Sequence, residues 1–259
     1  MGPQPLSRVK RNASTRFDPD VLLSHPKLAV YPVTTISRWA RTDATFAELL
    51  SAMLKSPDLV VGMAMYQALI GGASRQTALL AAAEVALSTE DYWLLKAVIK
   101  ANKPSRDQRN DFAHYLWGVS DDVPDALLLV DPTVFVRHLT TRSLYSKNML
   151  AMISRFGNVL PSGELDHSKV QVYREPDLEQ AAHDAAEAGS RAFLLNIAID
   201  HDRFGLTADQ MRQRLLSVPA VRQAFEALSL ENKKSTPPQQ SPKKPSAKQR
   251  RTRALPQKS

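Results

Sequence analysis

The sequence predicts a mainly α-helical protein: a helical bundle with short strands between residues 118 and 176. Helix-start signals recur before stretches in which apolar residues lie three and four positions apart. Glycine is also scarce, with 9 among 259 residues. Between residues 118 and 176 the pattern changes to short apolar runs, which are typical of strands but also occur in buried helices. We therefore expect one helical domain over residues 21–230, preceded by an arm and followed by a tail.

The N-terminal part shows few helix signals. Residues 1–20 contain prolines and four basic residues without apolar periodicity, which predicts a flexible arm. Residues 21–41 contain scattered apolar groups around two prolines and predict an irregular lead-in to the core. The first helix is expected near Thr45, which forms a capping-box pattern with Glu48.

Three further helices are expected before residue 105. Ser56-Pro57-Asp58 combines an N-cap serine, a proline at the first helical position and an acid, so it predicts a helix that ends at Gly71-Gly72. Residues 73–87 are rich in alanine and predict a closely packed helix. Ser88 is a predicted N-cap for the next helix, and Pro104 should end it.

A fifth helix is predicted to start at Ser105. Ser105 and Gln108 form another capping-box pattern, which places Arg109 and Asn110 in the first turns of that helix. Gly118 is a plausible C-terminal stop. The positive end of the helix dipole would then lie beside Arg109 and favour an anion.

The later elements alternate between extended and helical patterns. Extended segments are expected at residues 126–130, 134–136 and 169–173, with a helical piece at 144–156. Three helices should follow: one from Asp177 to about Ile199, one capped by Thr207, and one from Pro219 to near Leu230.

The positive charge of the chain is confined to its last segment. The formal net charge is +8, and residues 231–259 contain nine lysines or arginines and one acid, which accounts for all of it. This composition predicts a disordered tail that engages nucleic acid without sequence specificity or only keeps the protein soluble. The candidate nucleic-acid-binding residues are Lys243, Lys244, Lys248, Arg250, Arg251 and Arg253.

Several protein classes are disfavoured by what the sequence contains. The chain has no cysteine, which excludes disulfides and thiolate sites and suits a reducing cytoplasm. The best apolar run, Leu59 to Tyr66, is far shorter than the roughly 20 residues of a membrane span. The N-terminus lacks the apolar core of a secretory signal. We expect a soluble, cytoplasmic protein that uses no metal and no cofactor.

Arg109, Asn110 and His114 are the candidate catalytic residues. On a helix Asn110, His114 and Trp117 share one face, whereas Arg109 lies about 140° from His114, although its long side chain could reach the same cleft. A guanidinium can steady a charged phosphate, and an imidazole titrates near neutral pH. Together they suit cleavage of a phosphodiester by an adjacent 2′-hydroxyl, without a metal.

The six residues from Arg109 to His114 resemble the signature of the HEPN family of helical ribonucleases: an arginine, four to six residues and a histidine. Asn110 occupies the polar position that commonly follows the arginine. The resemblance covers about residues 42–200. It implies a homodimer in which two motifs face one cleft, with metal-independent endoribonuclease activity or RNA binding alone. By it, Arg109 and His114 would be catalytic, Asn110 would support them, and the product would be a 2′,3′-cyclic phosphate.

Two other interpretations stay open. The protein could be a non-enzymatic helical interaction protein in which Arg109 pairs with a neighbouring aspartate and the tail supplies weak nucleic-acid affinity. Alternatively, His183-Asp184, His201-Asp202 and His138 are similar to the ligand pattern of HD-type phosphohydrolases. Adjacent histidine and aspartate side chains point about 100° apart on a helix, so each pair alone is a weak metal-ligand signal.

Overall fold

The computed structural model describes residues 2–56, 58–140, 165–200 and 207–235. In these ranges the protein is mainly α-helical with a small antiparallel sheet, which confirms the predicted fold class. The helices are α1 Leu6–Val9, α2 Val21–Ser24, α3 Pro26–Met53, α4 Leu59–Ala68, α5 Gly72–Ala86, α6 Thr89–His114, α7 at 132–140, α8 Glu175–Ile199, α9 Ala208–Ser217 and α10 Pro219–Ser235. The strands are β1 Gln4–Pro5, β2 Arg16–Phe17, β3 Leu116–Val119, β4 Ala126–Val130 and β5 Val170–Arg174.

The five strands form one antiparallel sheet in the order β1-β5-β4-β3-β2. The central strand β4 is buried along its whole length, which explains its continuous apolar sequence. Its side chains alternate between two apolar clusters. Leu128 packs with Leu6 of α1 on one face, whereas Leu127 packs with Phe112 of α6 and Leu178 of α8 on the other. The sheet therefore has helices on both faces.

A larger core lies within the helical part of the protein. The long helices α3 and α8 pack against each other, and α6 packs against both α8 and α10. The cluster contains buried residues from α3 to α6 and from α8 to α10. Among the described residues no helix is both long and apolar enough to cross a membrane.

The N-terminal arm is part of the fold, contrary to the prediction of a flexible segment. Gln4 pairs with Val172 of β5 and Arg16 pairs with Val119 of β3, so residues 4–17 supply both edges of the sheet. Leu6 between them is fully buried. Both partner strands lie more than a hundred residues away in sequence, so no local pattern could reveal the pairing.

Residues 26–53 form one continuous helix, so the predicted irregular lead-in and the predicted helix start at Thr45 are both wrong. Thr45 lies inside α3, where its hydroxyl donates to the Arg41 carbonyl oxygen (3.2 Å) instead of capping a helix. Pro32 lies within the second turn of α3 and is buried. Its ring removes one backbone hydrogen bond, and the packing of α3 on α8 compensates for that loss.

Helix α6 starts where the sequence predicts but ends ten residues later. Ser88 is the N-cap, and its Oγ accepts a hydrogen bond from the Asp91 backbone N–H (3.1 Å). The helix continues through Pro104 to His114, so the predicted start at Ser105 and stop at Gly118 are wrong. Tertiary contacts override the local signals, because the side-chain amide of Gln108 donates to the Tyr173 hydroxyl (2.8 Å) rather than completing a capping box.

Most of the other predicted elements are confirmed within a few residues. They are α4, which starts after Asp58 and ends before the glycine pair, and α5, α8, α9, β4 and β5. Residues 134–136 are helical rather than extended, and α10 continues to Ser235, so the first residues assigned to the tail belong to a helix. The predicted helix at 144–156 and the rest of the tail lie outside the described residues.

We predict that Leu6→Ala lowers the free energy of unfolding by about 2–5 kcal/mol. The substitution creates a cavity in the buried apolar cluster that Leu6 forms with Leu128 on one face of the sheet. Urea denaturation followed by circular dichroism measures the change. The matched control is Leu23→Ala in α2, where the side chain is 77% exposed and the expected change is about 0.5 kcal/mol or less. Equal effects of the two substitutions would contradict the placement of the N-terminal segment.

Candidate functional site

Helices α3, α5 and α6 surround a cleft with a volume of about 140 Å³. Arg109 and Asn110 lie on its wall in the last turns of α6, so the structure brings these two predicted residues into one site. Arg106 and Asn102 line it one and two turns earlier on the same face of the helix. Trp39, Phe46 and Tyr66 also line the cleft, and all three rings are buried.

Arg109 is held by a neutral partner. Its Nη1 donates a hydrogen bond to Oδ1 of Asn110 (2.9 Å). The supporting role that the resemblance implies for Asn110 stays a prediction. Its Nε is buried and has no hydrogen-bond partner among the described residues. The predicted ion pair of Arg109 with Asp107 or Asp111 is absent from the described ion pairs, in which Asp107 binds Lys103 and Arg106.

A second arginine, Arg75 of α5, is neutralised and has a structural role. Its Nη1 contacts Oδ2 of Asp43 at 2.5 Å, and its Nε donates to the Leu69 carbonyl oxygen (3.2 Å) at the end of α4. Tyr66 donates its hydroxyl proton to Oδ1 of the same aspartate (3.0 Å). Burial, reinforced by the charge of Asp43, raises the pKa of Tyr66, so this hydroxyl stays protonated. These contacts fix α4 and α5 against α3.

The third arginine, Arg106, completes the cationic wall. Its Nη1 donates to the side-chain oxygen of Gln76 on α5 (2.8 Å), and its Nε and Nη2 lie 3.3 Å from Oδ1 of Asp107. Asp107 also binds Lys103, and that bond is the main reason that the pKa of Asp107 lies below its usual value. Arg106 therefore shares its acidic partner with a lysine.

His114 does not join Arg109 in the cleft. It is the last residue of α6, its side chain is exposed, and it is absent from the residues that line the cleft. The two positions lie about 140° apart around the helix axis. Trp117 belongs to β3 rather than to the helix and donates its indole N–H to the Phe112 carbonyl oxygen (3.2 Å). The ring of Phe112 is buried beside Trp117 and Tyr173, as expected for a core residue.

The motif lies at the carboxyl end of a helix, so the predicted attraction of anions by a helix start is wrong. The dipole of α6 is negative at this end. Burial raises the pKa of Asp111, and the negative charges of Asp107 and Asp131 raise it further. Three carboxyl groups therefore lie near the end of α6. Arg109, in contrast, faces the cationic cleft.

The histidines of the metal hypothesis do not form a cluster in the described part of the chain. His183 Nε2 lies 3.3 Å from Glu187 Oε1, and Asp184 accepts a hydrogen bond from Gln180 (2.8 Å), all on the exposed surface of α8. No group of three or more metal-ligating residues occurs in the ranges that the structure describes. His201-Asp202 lies outside those ranges.

Sequence reasoning missed Arg106, Arg75 and Gly72 as parts of the site. Arg106 precedes Arg109 by three residues and shares its helix face, so the spacing of the two arginines was a signal that the sequence already contained. Gly72 lines the cleft at the first position of α5, whereas the sequence indicated only that a helix stops at the glycine pair. The six predicted nucleic-acid-binding residues of the tail lie outside the described residues.

Comparison of the chain with known protein families, with curated proteins and with solved structures found no match. The resemblance of Arg109–His114 to the HEPN signature therefore stays a prediction.

We predict that Asp111→Asn stabilises the protein more at neutral pH than at pH 4. The pKa of Asp111 is raised in the folded state, so the ionised carboxylate destabilises the fold. The wild-type protein therefore loses stability relative to Asp111→Asn as the pH rises through the folded-state pKa. Urea denaturation at several pH values measures the difference.

Asp131→Asn is the matched comparison and should show the opposite trend. Hydrogen bonds from the hydroxyl and backbone N–H of Thr133 lower the pKa of Asp131, so its contribution to stability is present at neutral pH and is lost as the pH falls. The same pH trend for both variants would contradict the electrostatics described at the end of α6.

Proposed function

We propose that the protein binds RNA and that Arg109 holds a phosphate group in the cleft between α3, α5 and α6. The observation that carries this proposal is the state of Arg109, a guanidinium on the cleft wall. Among the described residues only the neutral Asn110 is its hydrogen-bond partner, and its Nε is buried and unpaired. A buried donor without a partner costs free energy, and a phosphate oxygen would satisfy it.

The distribution of charge supports the same function. Within the part of the chain that the structure describes, the charged residues that line the cleft are Arg75, Arg106, Arg109 and Asp43, so three positive groups face one negative group. The basic residues after position 235 add a second source of attraction for phosphates, which strengthens binding at low salt without selecting a sequence. The cleft would then hold a defined phosphate while the tail increases the overall affinity.

We predict that Arg109→Gln weakens the binding of a labelled single-stranded RNA by about tenfold at low salt, because one charge-assisted contact to phosphate is lost. Fluorescence anisotropy measures the dissociation constant. Arg8→Gln is the matched control, since Arg8 is exposed on α1 and the same charge is removed away from the cleft.

The measurements should be repeated on a chain that lacks residues 236–259. This shortened chain retains all of α10, which ends at Ser235. The difference between wild type and Arg109→Gln should persist in the shortened chain. If all RNA binding disappears with the tail, the folded domain is not a recognition site. The non-enzymatic interaction protein then becomes the better interpretation.

Metal-independent cleavage of the bound RNA is a second candidate function. The observation that favours it is the exposure of His114, which leaves the imidazole accessible at the end of the helix that carries Arg109. Because the two side chains do not meet within one chain, a joint site would take Arg109 from one copy and His114 from another. This arrangement agrees with the homodimer that the resemblance implies.

We predict that RNA is cleaved in EDTA to a 2′,3′-cyclic phosphate and that His114→Ala slows cleavage by about a hundredfold, since the group that transfers the proton is lost. His183→Ala, at an exposed site on α8, is the matched control. Cleavage that requires added metal, or that persists in His114→Ala, would eliminate this candidate.

A mixture of the two inactive variants tests the shared site directly. If Arg109 and His114 act across copies, equal amounts of Arg109→Gln and His114→Ala should recover about a quarter of the wild-type rate through mixed dimers. If each chain acts alone, the mixture stays inactive. The result separates a dimeric site from a site within one chain.

An interaction protein without catalytic activity is the third candidate. Helix α4 contains no charged residue, and Val60, Val61 and Met65 are each more than half exposed on it. An exposed apolar surface of this kind is typical of protein contacts. This interpretation predicts RNA binding through the tail alone, which the shortened chain tests.

A further inference from the structure

The first turn of α5 opens onto the same cleft. Gly72, its first residue, lines the cavity, and the N-cap residue Gly71 provides no side-chain hydrogen bond to the backbone N–H groups of that turn. Gly71 has φ +82°, a left-handed conformation that glycine adopts without strain. A Cβ at either glycine would meet no atom within 4 Å, so the space beside the first turn of α5 is open.

Two kinds of donor therefore converge on one cavity. The N–H groups at the start of the 15-residue helix α5 carry the positive end of its dipole. The guanidinium groups of Arg109 and Arg106 approach from α6, whose residues line the cavity. Helix starts and guanidinium groups are each common binding partners of phosphate oxygens in proteins.

The cavity is too small for a whole nucleotide. Its volume of about 140 Å³ lies below the roughly 300 Å³ at which sites for drug-sized molecules begin. The aromatic rings in its wall, Trp39, Phe46 and Tyr66, are at most 8% exposed, so none offers a free face on which a base could stack. A single tetrahedral anion fits the space and the chemistry better than a nucleoside.

The charge of the cavity selects among phosphate groups. Three arginines and one aspartate leave an excess of two positive charges among the described lining residues. A phosphate monoester carries up to two negative charges near neutral pH and presents three terminal oxygens, whereas an internal phosphodiester carries one charge and is flanked by two sugars. The monoester matches both the excess charge and the limited volume.

We propose that this cleft recognises the terminal phosphate monoester of an RNA chain, held by the N-terminal N–H groups of α5 together with Arg106 and Arg109. The proposal rests on the RNA-binding function above and specifies which phosphate enters the cleft. Arg75 takes no direct part, because Asp43 inside the cleft neutralises it, whereas Arg106 shares Asp107 with Lys103 and keeps part of its charge for a ligand.

The test compares one single-stranded RNA with a 5′-phosphate, with a 3′-phosphate and with hydroxyl groups at both ends, each bound to the full chain at the same salt concentration. An RNA with a terminal phosphate should bind about tenfold more tightly than the hydroxyl form. Inorganic phosphate, added as a competitor, should abolish this preference and should raise the thermal midpoint of unfolding.

Two substitutions at one position isolate the helix start. Gly72→Pro removes the N–H at the first helical position, where proline is well tolerated, and should abolish the preference for a terminal phosphate. Gly72→Ala keeps the N–H, adds a Cβ in open space and should retain the preference. Unfolding curves of both variants establish that they are folded. Arg106→Gln should reduce the preference as well.

The outcomes separate this inference from the RNA-binding function. Equal affinity for phosphorylated and hydroxyl-ended RNA, with Arg109→Gln still weakening both, overturns the recognition of a terminal phosphate and leaves RNA binding intact. Binding of inorganic phosphate without any binding of RNA supports the anion site but overturns RNA as the source of the phosphate. If Gly72→Pro retains the preference, the helix start is not part of the site.

Discussion

A buried polar link between α6 and α8 determines the geometry of the cleft. Nε of Arg191 donates to Oδ1 of Asn102 (2.8 Å), and Nδ2 of Asn102 donates to the Ala188 carbonyl oxygen (3.1 Å). Both residues are more than 90% buried, where an unpaired polar group is costly. The link therefore fixes the rotation of α6, and with it the direction of Arg106 and Arg109, which follow Asn102 by four and seven residues on the same face.

The continuity of α6 separates two electrostatic environments along one helix. Near Arg106 the helix contributes positive side chains to a cleft that also receives the amino end of α5. Two turns later it ends among Asp111, Asp131 and His114, where the negative end of its own dipole adds to the carboxylates. The cleft thus favours binding of an anion, whereas proton transfer by His114 would take place at the end of the helix. A second copy of the chain or a movement of the ligand would be needed to bring the bound anion to the histidine.

The sequence was sufficient to predict those elements that are determined by their own residues. Ser88 caps α6, alanine-rich residues form α5, and the apolar run of β4 is a buried central strand. It was insufficient where tertiary packing outweighs a local signal, as at Pro104, which lies inside a helix supported by α8 and α10. For the site, Arg109 and Asn110 were predictable as candidates from the motif and its family resemblance, and their roles stay predictions. The contribution of Gly72 was not, because it depends on how α5 is oriented relative to α6.

The N-terminal segment provides both edge strands of the sheet, and this has a consequence for the order of folding. Gln4 pairs with Val172, so the β1 edge cannot form until β5, 165 residues further along the chain by the bounds of the two strands, is available, whereas the β2 edge needs only β3. Closing so long a loop costs conformational entropy before the pairing of β1 with β5 contributes any stabilisation. Contacts between residues so far apart in sequence therefore form slowly. The helical core can assemble from nearer neighbours, so β1 is expected to be among the last elements to reach its final position.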